Sequence, residues 1–314
     1  MKMHKMSKTS KAARSQCCGE HEVYCCGARV AVSEKGVRVL SEPTVEYCPL
    51  HKSLYGIKKI DAKTVKGSVE KKIAHFGFCC RNRSFDADPI VAYGASEMMK
   101  LWLEKKLIDC AVVVCEGAGT VITSNGELVQ AIGAKLTGII KTSPISEVIE
   151  HIEANGGTVL DKYVAGIDQA VGVKQAFEMG FKRIAVSVAG FQAEAIDEIR
   201  KFETRAGVEV LIFSVCNTRV RHADVKYICK ADLVCASAST ILRKEIGKGA
   251  LLQLGVTIPV YALTLRGRNL ILAYLDESKD ELVVFRTRKM PYEPRERGPR
   301  LKRCLVASDL DLKA

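Results

Sequence analysis

Cysteine is the residue type whose number and grouping most strongly indicate chemistry in this sequence. The chain has thirteen cysteines among 314 residues, and three adjacent pairs stand out: Cys17-Cys18, Cys25-Cys26 and Cys79-Cys80. An odd number argues against a complete set of disulfides, and in a reducing compartment metal binding or reactive thiols become the better hypothesis. Successive side chains of an extended chain point to opposite faces, so we expect each adjacent pair to offer only one thiolate to a metal ion.

A metal site is predicted from cysteines that lie in distinct motifs or at the ends of apolar runs. Cys48-x-x-His51 has the spacing of metal ligands. The cysteines predicted to converge at the carboxyl ends of strands are Cys48, Cys79, Cys115 and Cys235. Zinc prefers four nitrogen or sulfur ligands and iron–sulfur clusters prefer cysteine thiolates, so the sequence leaves both cofactors open. The alternative is that cysteine fills the core as a small apolar side chain, which we favour for Cys110, Cys216, Cys229 and Cys304.

Three turns rich in small residues are candidate binding loops. The predicted cofactor-binding residues within them are Gly94, Ser96, Gly117, Gly119, Thr120 and Ser237. Backbone N–H groups at helix N-termini attract anions, and small residues let a ligand approach the backbone closely. None of the loops matches a P-loop or a dinucleotide glycine fingerprint. They indicate a phosphate-bearing ligand, although tight turns between strands and helices need small residues in any case.

Two acidic residues beside these loops are candidates for acid–base catalysis. Glu97 follows the first loop, and Glu116 precedes the second. A carboxylate beside a ligand loop is suited to moving a proton. The alternative is a solvated side chain or a helix cap, and the spacing of the histidines supports no catalytic triad.

The elements that must position these residues follow an α/β pattern. An apolar, β-branched run at 111–114 is too short for a helix and predicts a strand buried on both faces. Further strand patterns alternate with helical patterns, which predicts right-handed crossovers. The fold class is therefore α/β: a mainly parallel sheet with helical crossovers plus a small cysteine-bearing N-terminal β region. Near the carboxyl terminus, Leu270–Leu275 and Leu282–Phe285 are predicted to form a strand hairpin.

Five segments are predicted along the chain. They are a disordered basic tail at 1–16, a cysteine-bearing region at 17–88, a first α/β half at 89–160, a second half at 161–285 and a basic tail at 286–314. The excess positive charge is local, since residues 1–14 carry +5 and residues 286–303 carry +6 of a total of +12. Such tails can attract nucleic acid, but they lack the aromatic residues that stack on bases, so nucleic acid is a less favoured partner. No apolar run is long enough for a membrane span, and we expect a cytoplasmic protein.

Several motifs together resemble a known family. They are Tyr47-Cys48-Pro49-Leu50, Phe76-Gly77-Phe78-Cys79, Cys115-Glu116-Gly117-Ala118-Gly119-Thr120 and Cys235-Ala236-Ser237-Ala238. With these, the chain from about Val30 to about Tyr274 resembles the archaeal methanogenesis marker protein eight family. Residues 93–144 are also similar to the N-terminal part of the beta subunits of coenzyme F420-reducing hydrogenase. The first resemblance implies a role in methane metabolism, and the second implies a flavin.

Three functions are consistent with the sequence. The first is a cytosolic accessory protein of methane metabolism that holds zinc or an iron–sulfur cluster. It would act in redox transfer, or in maturation of a methanogenic enzyme or its cofactor, with that enzyme or a maturation factor as partner. The second is a metal-free enzyme that binds a phosphate-bearing nucleotide or a flavin at the strand-end loops. The third is a binding module that attaches to RNA or an acidic partner through its basic tails.

Overall fold

A mixed α/β fold with an eight-stranded sheet, a four-stranded sheet and a two-stranded pair, β4 (Val45–Tyr47) with β14 (Arg300–Leu301), is seen in the computed structural model. The structure describes residues 17–134, 138–279, 281–287, 289–292 and 299–302. The predicted tail at 1–16, most of the tail at 286–314, and Cys304 lie outside the described residues. None of the helices in the described ranges is both long and apolar enough to cross a membrane.

Strands and helices alternate through most of the chain. The strands are β1 (Glu20–Cys25), β2 (Ala28–Ser33), β3 (Gly36–Val39), β4 (Val45–Tyr47), β5 (Cys110–Cys115), β6 (Gly119–Thr123), β7 (Gly138–Lys141), β8 (Gly157–Val159), β9 (Arg183–Ala189), β10 (Glu209–Val215), β11 (Leu233–Cys235), β12 (Leu252–Leu254), β13 (Val260–Ala262) and β14 (Arg300–Leu301). The helices are α1 (Pro49–Tyr55), α2 (Ala62–Phe76), α3 (Ala95–Glu104), α4 (Gly126–Gly133), α5 (Ser146–Ala154), α6 (Gln169–Glu178), α7 (Glu194–Ala206), α8 (Val225–Ile228), α9 (Thr240–Glu245) and α10 (Leu265–Asp276).

The large sheet has eight strands in the order β12-β13-β11-β10-β9-β5-β6-β8. The central pairs β11/β10, β10/β9 and β9/β5 are parallel, and the outer pairs are antiparallel. Six of the eight strands therefore run in one direction, and only β6 and β13 are reversed. This arrangement confirms the predicted α/β class with a mainly parallel sheet.

Helices cover both faces of the large sheet, as the alternation of buried strand residues requires. Ala111 and Val113 of β5 face one core, together with residues of α3, α4, α5 and α10. Val112 faces the opposite core, together with residues of α6, α7 and α9. Within the first core, Trp102 is fully buried and its indole N–H donates to the Leu270 carbonyl at 3.0 Å. That bond ties α3 to α10.

The small sheet has the order β3-β2-β1-β7 and packs against α2. Its first three strands come from the cysteine-bearing N-terminal region, which confirms the predicted β region. Its fourth strand, β7, comes from much later in the chain and pairs antiparallel with β1. The proposed segment boundaries at 88 and 160 stay a prediction, but the sheet joins both sides of the first.

The predicted carboxyl-terminal hairpin is wrong. Leu270–Leu275 lies inside helix α10, which begins after Thr264, whose side chain accepts a hydrogen bond from the Gly267 N–H. Leu282–Phe285 is in no strand, and Val283 and Val284 are exposed. A short apolar run fits a helix face as well as a strand, and here the helix cap upstream decided the outcome.

Candidate metal centre and the adjoining cleft

The turn between β1 and β2 brings two adjacent thiols to one place. Cys25 pairs with Ala28, so Cys26 and Gly27 form a two-residue hairpin loop. Their φ angles are 50° and 76°, the left-handed values that type I′ hairpin turns require. The prediction that the pair offers only one thiolate is therefore wrong, because Cys26 lies on a turn rather than on extended chain.

Glycine is required at position 27 for two reasons. Its φ of 76° is strained for residues with a side chain. A Cβ atom there would also lie 1.9 Å from the Thr44 Oγ1 atom, so the turn packs directly on the chain that precedes β4. The close contact fixes the position of the Cys25-Cys26 turn.

The start of helix α1 supplies an imidazole and another thiol. Cys48 is the N-cap residue of α1, Pro49 occupies the first turn, and His51 is the third helical residue. Side chains at the N-cap and at the third helical position lie close together, the relation that capping boxes use. The His51 ring makes an edge contact with Tyr55 at a centroid distance of 5.4 Å.

Cys25, Cys26 and His51 form a compact set of potential metal ligands. The Cys26 Sγ atom is 3.2 Å from the His51 Nε2 atom, and one ligand atom from each of the three residues lies within 4.8 Å of the others. In the part of the chain that the structure describes, this is the one such group of three or more. Tetrahedral zinc places sulfur and nitrogen ligands about 3.6 Å apart, so the three side chains lie close enough to bind a metal ion once they move inward.

Electrostatics at this site favour a thiolate. The pKa of Cys25 lies well below its usual value because the Cys26 thiol donates a hydrogen bond to it, and His51 and buried Lys72 add to this effect against the opposing effect of burial. The pKa of Cys26 is raised by the neighbouring Cys25 sulfur and by burial. Although burial lowers the pKa of His51, the thiols of Cys25 and Cys48 raise it to about 9. The ionised form of Cys25, which is the form that binds a cation, is therefore favoured at this site.

The four cysteines predicted as ligands do not form one compact group. Cys48 lies beside His51, and although burial alone would raise the pKa of this thiol, the His51 imidazole lowers it. Cys79 is fully buried, which raises the pKa of its thiol. The Cys115 thiol donates to the Glu116 carbonyl at 3.3 Å, and Cys235 lies 3.9 Å from the Ser237 hydroxyl.

A cleft of about 610 Å³ adjoins Cys25, Cys26 and His51, which we call the thiol–imidazole group. One wall is formed by the carboxyl ends of β5, β9, β10 and β11, where ligands bind in open α/β sheets. The opposite wall is formed by the β1–β2 turn and the start of α1, and it includes Cys25, Cys26, Cys48 and His51. The predicted site residues that line the cleft are Cys48, Gly94, Ser96, Glu97, Cys235 and Ser237. Most of the remaining lining is apolar.

The second predicted loop lies in a buried hairpin. Gly119 pairs with Cys115 across the β5–β6 turn, and a Cβ atom at Gly119 would lie 2.3 Å from the Ala165 carbonyl oxygen. The Gly117 N–H donates to the Thr142 hydroxyl at 2.7 Å. The Thr120 hydroxyl donates to Gln169 at 2.9 Å. At these positions the small residues make room for other segments of the same chain rather than for a ligand.

The two predicted acid–base residues have different surroundings. Glu116 is 1% exposed and accepts hydrogen bonds from the guanidinium of Arg83, which is 2.6 Å away at its nearest atom. Glu97 lines the cleft, although it is largely buried. Its carboxylate accepts from the Ser96 hydroxyl at 2.9 Å and from the Gln130 amide at 3.1 Å. Glu97 therefore has access to a ligand, whereas Glu116 is held in an ion pair.

Comparison with known proteins identifies the family. Residues 21–276 match the family described as "Uncharacterized protein conserved in archaea (DUF2099)". The chain belongs to this archaeal family. A relative from Methanocaldococcus jannaschii, named "Uncharacterized protein MJ0054", is 41% identical over 257 residues, which cover 81% of this chain and 88% of the relative. The matched residues of the family include every member of the thiol–imidazole group and nearly all of the cleft.

Proposed function

We propose that this archaeal protein binds a zinc ion through Cys25, Cys26 and His51, at the wall of a cleft that receives a small organic ligand. The observation that carries the proposal is the mutual distance of at most 4.8 Å among the three ligand atoms. Cys48 contacts His51 but lies outside the group of three, so its side chain would have to move to take the fourth position. A ligand in the cleft could occupy that position instead, because all four residues line it.

The chemistry of the donors favours zinc over an iron–sulfur cluster. Two thiolates, one imidazole and a further thiolate make a Cys3His set, which is a common zinc environment. Iron–sulfur clusters usually need four cysteine thiolates spread around a larger core. Here two of the thiols come from one tight turn and a third ligand is an imidazole. A single ion fits this arrangement better than a cluster.

The protein residues around the ion have separate tasks. The turn at Gly27 fixes the positions of Cys25 and Cys26, and the start of α1 fixes that of His51. Buried Lys72 favours the ionised form of Cys25. A bound zinc ion would supply either a structural cross-link or, with an open position, polarisation of a ligand oxygen or thiol. The apolar lining of the cleft would favour an apolar part of the ligand. Glu97 could accept a proton from a ligand held there.

We place this activity in archaeal methane metabolism, as an accessory step in redox transfer or in maturation of a methanogenic enzyme or its cofactor. The support for this setting is the resemblance carried by the Cys48, Cys79, Cys115 and Cys235 motifs, together with membership of an archaeal family. A partner enzyme belongs to the same proposal.

Metal analysis of protein purified without oxygen tests the zinc site. We expect about one zinc per chain and no acid-labile sulfide. Cys26→Ser and His51→Gln should each lower the zinc content strongly, because each removes a ligand. Cys229→Ser is the matched control, since Cys229 is an exposed cysteine outside the site. Iron with sulfide, lost on Cys79→Ser but retained in Cys26→Ser, would show that the cysteines predicted from sequence hold a cluster and would refute the zinc site.

A metal-free alternative is favoured by one observation, the presence of Gly94, Ser96 and Ser237 in the cleft lining. In this alternative the protein binds a phosphate-bearing nucleotide or a flavin there. A yellow preparation whose colour survives chelation and is lost in Ser237→Leu would support it. A colourless preparation that contains zinc would favour the metal centre.

A further inference from the structure

Two cysteines outside the thiol–imidazole group have their sulfur atoms in contact. Cys17 and Cys80 are antiparallel bridge partners, and their Sγ atoms are 3.1 Å apart. The Cys18 N–H donates to the Cys79 carbonyl at 3.3 Å, which makes Cys17 and Cys80 a non-hydrogen-bonded pair of the ladder. The Cα atoms of such a pair are about 4.5 Å apart, and disulfides accept Cα separations of roughly 4.4–6.8 Å. The backbone can therefore carry a disulfide at this position with little movement.

The surroundings of the pair distinguish its two thiols. Cys17 is 4% exposed and Cys80 is 1% exposed, within the small core that also contains Phe78. The Cys80 thiol is also within 3.4 Å of the Phe78 carbonyl, to which it can donate. The contact with Cys17, and then burial, raise the pKa of Cys80. The Cys80 thiol is therefore disfavoured as the first nucleophile of the pair.

We propose that Cys17 and Cys80 are a thiol–disulfide exchange site, which small-molecule disulfides oxidise to an intramolecular disulfide. In the first step the Cys17 thiolate attacks one sulfur of the small disulfide, forms a mixed disulfide and releases one thiolate, which takes up a proton. In the second step Cys80 loses its proton and attacks the Cys17 sulfur, which releases the second thiolate. Two electrons pass from the cysteine pair to the small disulfide, which becomes two thiols.

The disulfide joins the chain before β1 to the turn that follows α2. The two residues are 63 positions apart, so the bond closes a long loop and restricts the unfolded chain. The same turn carries Arg83, which pairs with Glu116 at the end of β5. Oxidation therefore fixes the small sheet against the loop that contacts the large sheet, at a site separate from Cys25, Cys26 and His51.

Thiol counting and peptide mapping test the exchange site in the full-length, zinc-loaded protein. The folded protein is incubated with oxidised glutathione, alkylated and digested with trypsin, which yields peptides 15–29 and 73–81. We expect the loss of two free thiols and a cross-link between these peptides, with unchanged zinc content. The melting temperature should rise by several degrees and return on reduction.

Four single variants identify the cysteines involved. Cys17→Ala and Cys80→Ala should each abolish the cross-link and the rise in melting temperature, and they test the pair independently if one of them folds poorly. Cys18→Ser and Cys79→Ser are controls on the same two peptides and should retain both effects. The absence of a cross-link in the folded protein, or a cross-link that persists in Cys80→Ala, would overturn the assignment. Cross-linking only in denaturant would do the same.

Discussion

Replacing Glu116 by glutamine is expected to lower the free energy of unfolding by about 3–5 kcal/mol. The side chains of Glu116 and Arg83 are 1% and 0% exposed, so glutamine leaves a buried guanidinium without its counter-charge. The ordinary hydrogen bonds of Arg83 to the Ala131 and Ile132 carbonyls remain, at 3.3 and 3.4 Å, but they do not neutralise it. The loss should therefore greatly exceed that of one neutral hydrogen bond, which is about 1 kcal/mol.

The chain provides a matched control for this substitution. Glu127 forms an ion pair with Lys100 at the same distance of 2.6 Å, but its side chain is 64% exposed. Glu127→Gln should change the free energy of unfolding by less than about 1 kcal/mol, because solvent screens the pair. The acid, its replacement and the nearest contact distance are alike, so the comparison tests the effect of burying a pair against leaving it exposed.

Equilibrium urea unfolding at neutral pH measures both values, with fluorescence and circular dichroism followed together to establish a single transition. Arg83→Met should be as harmful as Glu116→Gln, and the double variant Glu116→Gln/Arg83→Met should lose much less than the sum, since no unpaired charge remains. Two results would refute the reasoning. Glu116→Gln could lower the free energy of unfolding no more than Glu127→Gln does, or the losses of Glu116→Gln and Arg83→Met could simply add in the double variant. Either result would mean that the ion pair with Arg83 is not the main role of Glu116. Glu116 would then return as a candidate acid–base residue.

Two further predictions concern the turn near the zinc site and an ion pair at the start of β5. Gly27→Ala should destabilise the protein and lower its zinc content, because the new Cβ would clash with Thr44. Gly36→Ala is the control, since it adds backbone strain but nothing lies within 4 Å of the new Cβ. Metal analysis and thermal unfolding compare the two variants, and equal zinc loss in both would contradict this account. Although burial raises the pKa of Asp109, Arg183 and nearby backbone N–H groups lower it below its usual value. The carboxylate of Asp109 therefore stabilises the fold fully above about pH 4, and this stabilisation is lost as the pH falls through the lowered pKa of the folded state. Asp109→Asn should therefore cost about 1 kcal/mol at pH 7 in urea unfolding, and a difference from wild type that persists unchanged at pH 2 would refute the assignment.

The sequence predicted those features that depend on local pattern. The apolar run at 111–114 gave strand β5 (Cys110–Cys115), because a β-branched run of that length has few other structures. The nearness of Cys48 and His51 follows from their spacing, since both residues lie at the start of α1, whereas metal binding by them stays a prediction.

Two features were not predicted, a tight turn and a contact between distant parts of the chain. Cys25 and Cys26 were assigned to opposite faces of an extended chain, although β1 ends between them. The available signal was Gly27, a residue typical of hairpin turns. Similarly, the partner of Glu116 is Arg83, 33 positions away, and no spacing rule connects them. Burial of that charge becomes predictable only when the packing of the two sheets is known.

The pairing of β1 with β7 has a consequence for synthesis of the protein. A ribosome releases Cys25, Cys26 and His51 long before it makes β7 (Gly138–Lys141). At about 5–20 residues per second, the missing strand arrives several seconds later. During that interval β1 has an open edge to which another chain can pair. A nascent chain therefore presents its candidate metal ligands before the sheet that carries them is complete.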